Sequence, residues 1–110
     1  YAVDFVEFPS DSADASGRCC EQAFGWKATA YGPEYTDVSN MESVLGFNGS
    51  AERPSAPLVT IRTDDLDKAR RDIEAAGGVI TVETFEFPGG RRFHFREPGG
   101  CELAVWQPTA

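Results

Sequence analysis

Three kinds of side chain in this sequence are chemically reactive: its cysteines, its one histidine and the carboxylates that punctuate apolar runs. Cys19 and Cys20 adjoin within "GRCCEQAFGW", and Cys101 follows Gly99-Gly100. A thiolate becomes a nucleophile or metal ligand when a base or a positive field lowers its pKa. Neighbours on a helix point about 100° apart, so Cys19 and Cys20 do not converge on one metal, and a disulfide between adjacent residues is strained. The pair therefore reads as packing, with Cys20 as buried filler, and so does Cys101, for which the sequence shows no activating base or positive environment. His94 lies in "RRFHFRE"; imidazole exchanges protons near neutral pH, and beside a carboxylate it forms an acid–base pair. Glu7 in "VDFVEF" and Glu102 in "CELAVWQ" are such carboxylates. Glu7, His94 and Glu102 are thus the candidate catalytic residues, the plainer alternative being a hydrated sheet face.

These residues sit on alternating, strand-like segments. In the first half, "VDFVEF" is followed by "PSDS", where Ser10, Asp11 or Ser12 can cap a helix. The helix itself is expected over Asp14–Phe24 and stops at Gly25. Strands "KATAY", "EYTDV" and "SVLGF" follow, and the polar, proline-bearing "NGSAERPSAP" reads as a joint. The second half opens with "LVTIRT", then "DDLDKARRDIEAAGG", whose Leu66, Ala69, Ile73 and Ala76 recur at helical spacing. Asp64 or Asp65 is the expected N-cap and Gly77-Gly78 the stop. Strands "VITVE", "RRFHFRE" and "CELAVWQ" complete it, with "FPGG" and "EPGG" as turns. A shift of 53 positions lays Phe5–Gly25 on Leu58–Gly78 without a gap and with seven identities in 21 positions. The sequence therefore predicts one domain of two tandem βαβββ units, about 1–50 and about 57–108.

Composition bounds the partners. With 18 acidic against 10 basic residues the net charge is −8, which argues against nucleic acid, since phosphate binding needs a basic footprint. The same charge permits a cationic ligand. No apolar run approaches the roughly 20 residues of a membrane span, so no membrane partner is expected. Three cysteines without framework spacing suit a reducing, cytoplasmic setting. The chain opens on Tyr1 rather than Met, so its true N-terminus is expected to lie upstream.

The order of motifs resembles the vicinal oxygen chelate superfamily, which includes glyoxalase I, bleomycin-resistance proteins and extradiol dioxygenases. The resemblance is carried by "VEFPSDSADASGRCCEQAFGW", "LVTIRTDDLDKARRDIEAAGGVI" and "FPGGRRFHFREPGGCELAVWQ". Phe24-Gly25-Trp26, Asp64-Asp65, Gly77-Gly78 and Gly90-Arg91 match the family pattern, and Glu97-Pro98-Gly99-Gly100 varies its Asp-Pro-x-Gly-Asn turn. It implies an α+β fold in which two βαβββ units of curved, mixed sheet form a cleft, usually in a homodimer. Metal-dependent members draw one ligand from the first and last strand of each unit. Those positions here are Phe5, about Gly46, Leu58 and Ala104, none of which offers an N, O or S donor. No metal ligand and no cofactor are expected, a divalent metal being admissible only if this register is misread.

Alternation extends the reading, because residues two apart share a strand face. If Phe5, Leu58 and Ala104 face the cleft, so do Glu7, Thr60, Arg62, Glu102 and Trp106. Val6, Phe8, Val59, Ile61, Leu103 and Val105 then face the helices, with Phe93 and Phe95. Arg92, His94 and Arg96 join the polar face. The expected ligand-binding set is Phe5, Glu7, Leu58, Thr60, Arg62, His94, Glu102, Ala104 and Trp106, with Trp26, Tyr31, Tyr35 and Phe47 as further aromatic lining. The expected function is binding of a small organic molecule, in the manner of bleomycin-resistance proteins. The alternative is a metal-dependent lyase, isomerase or dioxygenase that uses Glu7, His94 and Glu102 around a displaced metal.

Overall fold

A computed structural model describes residues 1–40 and 43–109. The chain divides into two compact units, one of Asp4–Leu58 and the other of Tyr1–Val3 with Val59 onward. Each is a helix laid on one face of four strands.

In the first unit the elements run β1 (Ala2–Pro9), α1 (Ala13–Phe24), β2 (Lys27–Ala30), β3 (Tyr35–Ser39) and β4 (Val44–Asn48). Of the three candidate caps, Ser12 holds the helix start: its extended backbone turns the hydroxyl back to accept from the Ala15 N–H at 3.2 Å. Gly25 ends the helix in the left-handed conformation, φ 70°, and donates its N–H to the Glu21 carbonyl. The strand order is β2-β3-β4-β1, with β1 parallel to β4 and the other pairs antiparallel. Ala13, Gly17 and Cys20 form the buried side of α1, which is set against Thr36 and Val38 of the alternate β3 face. Phe8 and Phe47, opposite one another in the parallel pair, stack with centroids 5.4 Å apart.

The second unit comprises β5 (Leu58–Arg62), α2 (Leu66–Ala75), β6 (Val79–Phe87), β7 (Gly90–Arg96) and β8 (Glu102–Pro108), in the order β5-β8-β7-β6. Asp65 is the N-cap, accepting from the Lys68 N–H at 3.0 Å, and Gly77 and Gly78 terminate the helix as expected, the latter donating to the Ile73 carbonyl. Leu66 and Ala69 of α2 join Phe93, Phe95 and Val105 in a buried cluster ringed by Ile61, Ile73, Ile80 and Leu103. Burying these apolar side chains stabilises the unit by about 25 cal/mol per Å² of apolar surface removed from water. The strand expected over "VITVE" runs on through "TFEF" to Phe87. Its pairing with β7 shifts register between Ile80 and Val82 and again between Val82 and Phe85. A bulged strand changes the parity of its faces.

Candidate functional site

With Phe93, Phe95, Leu103 and Val105 committed to α2, alternation turns Thr60, Arg62, Arg92, His94, Ala104 and Trp106 to the other face of the second unit's sheet. Cross-strand register arranges them in rows. One row runs Thr60, Ala104, His94, Val82, and the next runs Arg62, Trp106, Arg92, Phe85. The Arg92 guanidinium carbon lies 5.1 Å from the Phe85 ring centroid and 5.5 Å from that of Phe87. Arg62 lies over Trp106 at 5.8 Å, and Phe87 faces Trp106 at 6.2 Å between centroids. The face thus carries an aromatic cluster with two guanidinium groups stacked in it.

The neighbouring end of β8 is acid–base in character. His94 Nδ1 stands 3.6 Å from Glu102 Oε2, the imidazole being 13% exposed and the carboxylate 45%. The same Glu102 oxygen accepts a 2.7 Å hydrogen bond from the Thr81 hydroxyl, which fixes the carboxylate beside the ring. At 3.6 Å the pair is an ionic contact once His94 is protonated, rather than a hydrogen bond. Two polar atoms of this face, Thr60 Oγ1 and Arg92 Nε, are buried with no hydrogen-bond partner. Such groups are rare, because an unmade bond inside a protein costs about 1–3 kcal/mol.

In the first unit, Glu7 is 5% exposed and accepts from the Tyr35 hydroxyl at 3.2 Å. Gly46 makes this possible. It stands between Glu7 on β1 and Asp37 on β3 in the register, and a Cβ there would overlap the Tyr35 hydroxyl and the Phe5 ring. Asp37 shares the face: burial, and then the charge of Glu7, push its carboxyl above the ordinary range.

The expected site residues therefore divide. Arg62, His94, Glu102 and Trp106 gather on one face with Thr60, but Thr60 and Ala104 are 3% and 0% exposed, so the accessible part of that face is its arginine and aromatic end. Glu7 and Phe5 lie with Tyr35 in the first unit, and Leu58 is buried. Of the further aromatics, Phe47 belongs to the helix side, because it stands opposite Phe8 and Thr36 in register. Tyr31 is exposed, and Trp26 packs on Phe24 at 4.8 Å. Cys20 is buried and its thiol is pushed up by burial and by Cys19. Cys19 and Cys101 are exposed, which corrects their reading as packing. Cys101 sits at the rim of β8, where its backbone N–H donates to Glu97, and that carboxylate is held low by backbone N–H groups of Cys101 and Gly99. Reasoning from sequence passed over Phe85, Phe87 and Thr81 as site residues. The alternation of "TFEF" puts the two phenylalanines on one face, but the register shifts in β6 decide what they meet there.

The side chains do not fit a divalent metal at the four positions from which the resemblance would draw ligands. The register sets Val44 opposite Phe5 and Gly46 opposite Glu7, so β4 supplies no donor at either height. The space over Gly46 is filled by the Tyr35 phenol. Among the described residues, no three His, Cys, Asp or Glu side chains are grouped to hold a metal, and no helix is long and apolar enough to cross a membrane.

A model of the Glyoxalase/Bleomycin resistance protein/Dioxygenase superfamily matches residues 2–105. No curated protein matches the sequence. Among solved structures, the chain is similar to a glyoxalase/bleomycin resistance protein/dioxygenase superfamily member from Vibrio splendidus 12B01, with 14% identity over 94% of this chain and 96% of that one, TM-score 0.72. It is similar to methylmalonyl-CoA epimerase from Mycobacterium tuberculosis, with 14% identity over 98% and 88% of the two chains, TM-score 0.69. It also resembles the Mn(II)-bound glyoxalase from Novosphingobium aromaticivorans, with 18% identity, 96% of this chain, 38% of that one and TM-score 0.71. At these identities the likeness speaks for the fold, two helices over strands in the βαβββ arrangement.

Proposed function

Because the chain belongs to the Glyoxalase/Bleomycin resistance protein/Dioxygenase superfamily, we propose that it binds a small organic molecule on the face of the second unit's sheet turned away from α2, without a metal at the four family positions. One observation carries this reading. Arg92 Nε is buried and unpartnered beside the Phe85 and Phe87 rings, at the accessible end of that face. Apolar walls with a few convergent polar groups are what a small-molecule site requires. Folding alone gains nothing from orphaned donors and acceptors. Exposed Arg62 and half-buried Trp106 give the ligand access, and His94 beside Glu102 can hold or move a proton on it. A homodimer is part of the proposal, tested by sedimentation, which should read twice the 12.0 kDa of one chain.

The test is a fragment screen read by backbone amide shifts. Binders should move the amides of Arg62, Arg92, His94 and Trp106 together, and Trp106→Ala should abolish the response. Binders that move only amides of α1 or of β2 to β4 would overturn the reading.

A further inference from the structure

The geometry points to an anionic ligand, a carboxylate or phosphate joined to a flat apolar body, with Arg92 as the residue that recognises the anion. This deepens the small-molecule reading and rests on it. The chain carries 18 acidic residues against 10 basic ones, so its cations have carboxylates in abundance, and several are matched. Arg18 pairs with Asp14, Arg53 with Asp11, Lys68 with Asp72, and Arg70 with Glu83. Among the described residues, Arg62 and Arg92, like Lys27, Arg71, Arg91 and Arg96, form no ion pair with a carboxylate; what sets these two apart is that they stack on aromatic rings, on a face that does bear a carboxylate. Glu102 lies four residues along β8 from Trp106, where it is occupied by Thr81 and His94.

Stacking leaves these guanidinium groups ready for an anion. The Arg92 guanidinium carbon lies 5.1 Å from the Phe85 ring centroid and 5.5 Å from that of Phe87. Such contacts hold the guanidinium plane and desolvate it but use none of its five N–H donors. Its Nε is buried without an acceptor. A planar fork with unspent donors in a poorly hydrated setting matches a carboxylate or phosphate in two parallel hydrogen bonds, which an ammonium or neutral amide cannot accept in the same way. The rings of Phe85, Phe87 and Trp106 beside it supply the surface for a flat body. Local pairing, rather than the net charge of −8, then sets the sign of the ligand, since the mean field of exposed carboxylates is screened beyond about 8 Å at physiological salt.

The experiment is calorimetric titration of the chain with four naphthalene probes: 2-naphthoate, 2-naphthyl phosphate, 2-naphthamide and 2-naphthylmethylammonium. The two anions should bind about tenfold or more tighter than the amide, as expected for a hydrogen-bonded charge pair, and the ammonium weakest. Whichever anion binds more tightly assigns the group as carboxylate or phosphate. Arg92→Gln should erase the preference, leaving neither anion more than about twofold tighter than the amide in that variant, because the charge and the fork that bind the anion are removed. Arg92→Lys, which keeps the charge but loses the fork and the stack, should reduce the preference at least about threefold and carries the test if the glutamine variant does not fold. An amide or ammonium that binds as tightly as the anions, or a preference that survives in both variants, overturns the inference and leaves small-molecule binding standing. Failure of all four probes to bind overturns both.

Discussion

Replacing Thr60 by Val should make the protein more stable. Thr60 is 3% exposed, and its hydroxyl oxygen is buried with no partner. Holding such a group away from water costs about 1–3 kcal/mol, and valine presents a methyl group of similar size with equal preference for a strand. The exchange removes that penalty and adds buried apolar surface, so a gain of about 1–2 kcal/mol is expected. Unfolding entropy of about 2.1 cal/mol/K per residue over 110 residues converts each kcal/mol into about 4 °C, so the melting temperature should rise by about 4–8 °C. Thr63→Val is the control. Thr63 is also buried, at 7% exposure, but its hydroxyl accepts from the Asp65 N–H at 3.1 Å and donates to the Asp65 carbonyl at 3.3 Å, just before α2. That substitution should cost about 1 kcal/mol or more. Differential scanning calorimetry of the two variants checks both signs. A fall in melting temperature for Thr60→Val would refute the reasoning, since it would mean the hydroxyl is satisfied in the folded protein.

Three further outcomes follow from the same structure. Asp37→Asn should stabilise the protein at pH 7 by no more than about 1 kcal/mol, because the carboxyl is half-buried and partly screened, and the gap should close near pH 3. The sign follows from its raised pKa: the folded state holds the proton more tightly, so the wild type loses stability as pH rises from about 4 through the raised value. Urea unfolding across pH measures it, and an asparagine variant less stable at pH 7 contradicts it. Gly46→Ala should cost about 2–5 kcal/mol, since its Cβ would overlap Phe5 and displace the Tyr35 hydroxyl from Glu7; a loss under about 0.5 kcal/mol in urea would show that the phenol yields freely. Elemental analysis of protein purified without added metal should find none in stoichiometric amount. Stoichiometric zinc, nickel, iron or manganese lost on His94→Ala would contradict the metal-free reading.

Much of this architecture was legible in the sequence because its signals were local. Ser12, Asp65, Gly25 and Gly77-Gly78 mark helix ends through hydrogen bonds made within a few residues, and alternation in "LVTIR" and "RRFHFR" separates the α2 side from the other. The candidate site was only half legible. His94 and Glu102 share a face as period-two reasoning requires. Phe85 reaches Arg92 only because β6 changes register twice, and a bulge carries no sequence signature that alternation can follow. Tyr35 reaches Glu7 because Gly46 lacks a side chain, a through-space clearance between strands that no spacing along the chain encodes. Cys101 was misjudged for a similar reason. Its type suggests burial, but the turn through Gly99 and Gly100 leaves it at the rim of β8.

Whether the arginine and aromatic end of one sheet face is a ligand site is tested most directly by a crystal structure of the chain grown with 2-naphthoate. The naphthalene should lie against Phe85, Phe87 and Trp106, with its carboxylate hydrogen-bonded to the Arg92 guanidinium. Density for the probe elsewhere, with Arg92 still unpaired beside its two phenylalanines, would contradict it.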